Sequence, residues 1–100
     1  QARRFGERIV QVKDVVLCAP VSLNIVCFRV APPSMTPDQQ DALNKELLLR
    51  IQETGLAVPS GSKIDGRYVI RVACSNHRSG WADFEMLATG VDALSRQIQR

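Results

Sequence analysis

The residues best suited to chemistry lie in the stretch Gly66-Arg67-Tyr68-Val69-Ile70-Arg71-Val72-Ala73-Cys74-Ser75-Asn76-His77, where a permanently charged arginine, Arg71, interrupts an apolar run. Side chains alternate along a strand, so Tyr68, Ile70, Val72 and Cys74 share one face while Val69, Arg71 and Ala73 share the other. The first is a core face. The second is a floor of small residues around one guanidinium, whose planar fork of donors matches a carboxylate or a phosphate. Spacing alone leaves two readings open: Arg71 meets an anion, or it stands on the wet side of a half-exposed sheet. Just past the strand, Asn76, His77 and Arg78 form a polar cluster suited to a cap, a turn or a ligand-facing loop.

Other chemistries find no support in the residue spacing. His77 is the single histidine, and Cys18, Cys27 and Cys74 are not paired at ligand spacing, which argues against a metal site. A nucleophilic pair of Cys74 and His77 fails on parity, because Cys74 points to the core face. The glycines stand apart rather than in a phosphate-binding loop, and the carboxylates form no spaced acid-base pair. No catalytic or cofactor-binding group can be assembled from these 100 residues alone.

The elements that must hold Arg71 can be read from periodicity and punctuation. Phe5, Ile9 and Val12 recur at helical spacing, so the first dozen residues read as the end of an amphipathic helix, with residues 1–14 assigned to it and its start expected upstream of Gln1. Val15 to Cys18 and Ile25 to Val30 are β-branched runs separated by a loop, and Ala31-Pro32-Pro33-Ser34 stops the second. Thr36-Pro37-Asp38-Gln39 is a helix start with a threonine cap, proline at the first helical position and a glutamine closing a capping box. That helix is expected to run to Thr54 with Gly55 as its C-terminal cap, burying Leu43, Leu47, Leu48 and Ile51. Asp65-Gly66 marks a tight hairpin whose second arm carries Arg71, and Pro59 confines the first arm to a sheet edge. Trp81, Phe84, Leu87, Ala88, Val91, Leu94 and Ile98 mark a last amphipathic helix.

This order predicts an α+β domain: a small, mainly antiparallel sheet of about four strands with helices packed on one face. The other face is expected to be open, exposing Ile25, Cys27, Val69 and Ala73 around Arg71, with Arg29 sharing that face as a solvated structural arginine. Such a patch is expected to find a partner, by two-fold self-association through the face or a sheet edge. The net charge of +3 comes from scattered residues and is only a weak pointer to nucleic acid. The open face presents no aromatic platform for bases, so no nucleic-acid partner is expected. Three cysteines, an odd number set in apolar strands, read as buried free thiols of a reducing compartment, and the chain is expected to be cytoplasmic. No apolar run approaches the ~20 residues of a membrane span, so no membrane partner is expected.

One family fits these residues. Gly55-Leu56-Ala57-Val58-Pro59-Ser60, Asp65 to Ala73, Ser75-Asn76-His77-Arg78 and Asp83-Phe84, preceded by Leu23 to Val30, resemble the C-terminal end of the pyridoxal-phosphate-dependent decarboxylases of the aromatic-amino-acid and glutamate decarboxylase superfamily. The resemblance runs from about Phe5 to Leu94. It implies the C-terminal small domain of a fold type I enzyme spanning residues 1–100, and a parent carboxy-lyase converting an L-amino acid to an amine. The cofactor of the parent, pyridoxal 5'-phosphate, joins a lysine directly after a histidine in the large domain and acts as electron sink. None of Lys13, Lys45 and Lys63 follows a histidine, so the resemblance places the cofactor-binding domain outside this chain, with that large domain and the amino-acid substrate as partners. It gives the arginine matching Arg71 the substrate carboxylate; Asn76 and His77, to which it gives no comparably firm role, stand as secondary candidates. The fragment alone is expected to bind no cofactor and to be inactive. A freestanding α+β ligand-binding or interaction domain is the alternative.

Overall fold

In the computed structural model, the described residues are 2–22, 24–54, 59–74 and 80–99. They form α1 (Ala2–Ile9), β1 (Val15–Leu17), β2 (Ile25–Val30), α2 (Pro37–Glu53), β3 (Pro59–Ile64), β4 (Arg67–Ala73) and α3 (Trp81–Gln99). The strands make one antiparallel sheet in the order β1-β2-β4-β3. The expected α+β layering is what folds.

Its local causes are those written in the sequence. The Thr36 hydroxyl accepts from the Gln39 amide at 3.2 Å while the Gln39 side chain accepts from the Thr36 amide at 2.9 Å, so two of the orphan donors at the start of α2 are met reciprocally. A cap of this kind stabilises by about 1 kcal/mol. At the hairpin, Asp65 and Gly66 both take left-handed backbone, φ 51° and 79°, the pair of values that a two-residue turn needs to match strand twist. The turn fixes the β3–β4 register at Ile64 opposite Arg67, and so sets which face Arg71 occupies. Pro59 opens β3, which is an edge strand as expected. In β3 the Tyr68 ring covers Gly61: a Cβ there would lie 2.7 Å from the ring Cζ, so the glycine makes room for the aromatic on the next strand.

All three helices pack on one sheet face. Phe5 and Ile9 of α1, Leu43, Leu47, Leu48 and Ile51 of α2, and Phe84, Leu87, Ala88 and Val91 of α3 share one buried cluster with Val26, Phe28, Val30, Ile70 and Val72. The Phe5 ring meets Phe28 edge-on at 6.5 Å and Phe84 at 5.4 Å, joining α1, sheet and α3. Outside this contact, Arg8 pairs with Glu85 at 2.9 Å and the Arg4 guanidinium lies 3.7 Å from the Trp81 ring centre. None of the described helices is long and apolar enough to cross a membrane.

Two local expectations need correction. Helix α1 ends at Ile9 rather than running to residue 12 or 14. The chain must reverse to start β1 beside Val30, and it does so through tight turns, Gln11 N to Arg8 O and Val12 N to Ile9 O, and through Asp14 at φ 66°. Helix α2 ends at Glu53 with Thr54 as its cap, while the expected cap Gly55 lies outside the described residues. The second correction concerns cysteine: only Cys74 is buried, and Cys18 and Cys27 are half-exposed. Burial pushes the Cys74 thiol up from its usual range, in keeping with an inert core sulfur.

Candidate functional site

Beyond Phe28 and Ile70 strands β2 and β4 part, and the register between them stops. Helix α2 fills the opening with polar side chains. Asn44, fully buried, accepts from the Val30 amide at 2.8 Å and donates to the Val30 carbonyl at 2.8 Å. Asp41 accepts from the Tyr68 amide at 3.0 Å. These bonds replace ladder partners that neither strand supplies at this end, as buried backbone groups require. Arg29 is drawn into the same network, donating to Gln40 at 3.0 Å and lying 3.5 Å from Asp41. Arg67 reaches Asp41 at 3.2 Å and Asp38 at 3.4 Å.

Arg29 is therefore structural, as expected, but it is not solvated: only 7% of its surface is exposed. Its side chain reaches polar groups on α2, a contact invisible to strand parity. Val69 also departs from expectation, being 1% exposed rather than part of an open patch. It is paired with Ser62 and sits at the end of the face where Arg29 is buried. Of the other residues expected on that face, Arg71 and Ala73 are exposed and Ile25 and Cys27 half-buried.

Of the three arginines in the described strands, Arg71 is the one the fold does not use. It is exposed and, among the described residues, its side chain makes no hydrogen bond or ion pair. Cys27 of β2 and Ser60 of β3 lie directly opposite it on the flanking strands, so short side chains border the guanidinium on both sides. A rigid central strand with both neighbours paired presents a bidentate donor with its hydrogen-bonding capacity unspent, an arrangement suited to a carboxylate or phosphate oxygen pair. Asn76 and His77, the secondary candidates, lie outside the described residues.

The lysines, Lys13 in the turn after α1, Lys45 on α2 and Lys63 on the edge strand β3, are all exposed and stand on separate elements. A shallow cleft lined by Lys13, Asp14, Asp92, Ser95, Arg96 and Gln99 adjoins the C-terminal part of α3, far in the fold from Arg71. Two of its charges meet within it, as Arg96 bonds Asp92 at 2.8 Å. Sequence reading missed the Asn44 and Asp41 network. The signal available for it was an asparagine and an aspartate within two turns of an amphipathic helix start, a pattern that equally suits solvated positions.

No family model matches the chain. It is 31% identical over 72 residues to tyrosine decarboxylase 2 of Arabidopsis thaliana, covering 72% of this chain and 13% of that protein. It is 28% identical over 87 residues to aromatic-L-amino-acid decarboxylase of Bacillus atrophaeus, covering 86% of this chain and 18% of that protein. Among solved structures, Oryza sativa TDC with PLP and tryptamine matches 99% of the chain with a TM-score of 0.89 at 20% identity, over 21% of its own length. The chain thus spans less than a quarter of the length of each of these proteins.

Proposed function

From a chain whose sequence and fold are similar to one part of the pyridoxal-phosphate-dependent amino-acid decarboxylases, we propose that it serves as the C-terminal small domain of such an enzyme, a carboxy-lyase that converts an L-amino acid to an amine. The observation that carries the reading to a mechanism is Arg71, exposed on a central strand and without a partner among the described residues. In this reading the open sheet face packs against a larger domain that holds the cofactor, and Arg71 grips the substrate carboxylate from the small-domain side. Pyridoxal phosphate, bound by that larger domain, would supply the electron sink for the carbanion left by carbon dioxide. Arg71 acts by orientation. Tight ground-state binding of a leaving carboxylate cannot by itself speed its loss, but two parallel hydrogen bonds fix the direction of the bond to be broken.

The test is direct. The isolated 100-residue chain, mixed with pyridoxal phosphate and L-amino acids, is expected to release no carbon dioxide, whereas the full gene product releases it and forms the amine. Turnover by the isolated chain would overturn the division of labour between domains. A full gene product that binds amino acids without turnover would instead favour a freestanding ligand-binding domain.

Self-association belongs to the same reading, because a face built to meet another domain is left open when the chain stands alone. Light scattering across a dilution series is expected to show the isolated chain as a dimer at high concentration. Ala73→Glu, which adds a charge at an exposed position of the face, shifts it towards monomer; Val69 is unsuitable for this purpose because it is buried. A wild type that stays monomeric throughout the series would remove the dimer from the reading.

A further inference from the structure

Strand register sets the two neighbours of Arg71 at unequal distances. Along an antiparallel strand the N–H and C=O groups turn to alternate sides, so a residue bonded to one flanking strand forms a non-hydrogen-bonded pair with the other. The Cys27 carbonyl accepts from the Cys18 amide at 2.9 Å, so Cys27 is bonded towards β1 and its pair with Arg71 is non-hydrogen-bonded. The Cys74 amide, donating to the Asn24 carbonyl further along that ladder, sets the same phase. On the other side, Ile64 and Arg67 flank the two-residue turn as a hydrogen-bonded pair, and strict alternation makes Ser60 and Arg71 another. Cα atoms are about 4.5 Å apart in the first kind of pair, with side chains closer, and about 5.5 Å apart in the second. The Arg71 stem therefore stands nearest Cys27. Strand β2 is also held between β1 and β4, whereas Ser60 belongs to the edge strand β3, which can give way.

We propose that Cys27 is a positioning residue for Arg71: its small side chain leaves the arginine stem room to stand where the guanidinium fork meets a carboxylate in plane. The inference rests on the reading of Arg71 as the grip on the substrate carboxylate. Cys27 is half-buried and its thiol makes no hydrogen bond among the described residues, so it acts on the arginine by size. Two parallel hydrogen bonds form only when fork and carboxylate share a plane and a direction. A β-branched side chain at position 27 sets a methyl group against the first methylenes of the stem and tilts the fork, and a shift of about 1 Å in an orienting group can cost on the order of 100-fold in rate. The same branch at position 60 meets the stem across the wider pair, on a strand with a free edge. The role requires no solvent access to the thiol, so it holds equally when a larger domain covers the face.

The test is equilibrium dialysis of the full gene product against radiolabelled 3-phenylpropionate, a carboxylate with no amino group to react with a cofactor, so that binding is read without turnover. Arg71→Met is expected to weaken binding by about tenfold or more. Cys27→Val and Cys27→Thr, alike in shape, different in polarity and both suited to a strand, each weaken it by roughly tenfold. Cys27→Ser, of nearly the same size, and Ser60→Val, on the wider side, stay within about twofold of wild type. Cys27→Val combined with Arg71→Met binds no more weakly than Arg71→Met alone, because both act through one side chain. An Arg71→Met variant that binds as wild type overturns the carboxylate reading and this inference with it. A loss in Arg71→Met beside wild-type binding in Cys27→Val or Cys27→Thr, losses that add in the double variant, or an equal loss in Ser60→Val overturns the positioning role alone.

Discussion

Replacing Arg71 by methionine in the full-length enzyme is expected to lower kcat/KM by about 2–4 kcal/mol of transition-state free energy, roughly 30- to 900-fold, while leaving the fold intact. The size follows from what is removed: a charge-assisted, bidentate contact whose partner is left with its negative charge unmet in a partly closed cleft. The fold is spared because the side chain is exposed and the sheet network runs through Arg29, Arg67, Asp41 and Asn44 instead. Methionine keeps the length of the apolar stem, so thermal denaturation should be nearly unchanged. Lysine at the same position restores only part of the loss, because a point charge holds a carboxylate without fixing its plane. Steady-state kinetics on the three proteins settle the matter. Methionine-variant kinetics equal to wild type would return Arg71 to the wet side of a sheet.

The second large effect is on stability. Asn44→Ala is expected to destabilise the 100-residue chain by about 3 kcal/mol, read as a lowered urea midpoint. The side chain is fully buried and makes three hydrogen bonds, to the Val30 amide, the Val30 carbonyl and the Gln40 carbonyl, at 2.8, 2.8 and 2.7 Å. Truncation strands both backbone groups of Val30 where β2 and β4 have parted, and each stranded group costs about 1–3 kcal/mol. The helix propensity of alanine returns a few tenths. Asn44→Asp separates the contributions: it keeps an acceptor for the Val30 amide but loses both donors and sets a negative charge against two carbonyls, so it should be at least as damaging as alanine. Lys45→Ala, one residue on and exposed, should fall within about 0.5 kcal/mol of wild type. An Asn44→Ala change below about 1 kcal/mol would show that water replaces the side chain and that the split between strands is not sealed.

The elements themselves were legible because each is written in local physics. The capping box at Thr36, the proline after it and the spacing of Leu43, Leu47, Leu48 and Ile51 specify α2 without reference to anything distant. The Asp65-Gly66 turn fixes hairpin register within a few residues, and strand alternation then assigns Ile70 and Val72 to the core and Arg71 to the opposite face. One-sided layering followed from the same alternation, since only one face of β2 and β4 is apolar throughout.

What the sequence could not decide was which charges the fold would consume. Arg29 and Arg71 both interrupt apolar strands on the same face, and by alternation they are equivalent. Tertiary structure separates them: α2 crosses the end where β2 and β4 part, bringing Gln40 and Asp41 to Arg29, while Arg71, further along β4, lies opposite Cys27 and Ser60 and has no side-chain partner among the described residues. Val69 and the half-exposed Cys18 and Cys27 follow the same rule. Local periodicity reports the side of a strand on which a residue lies, because that is set by bond geometry. What waits on that side is set by segments tens of residues away, and only their packing reveals it.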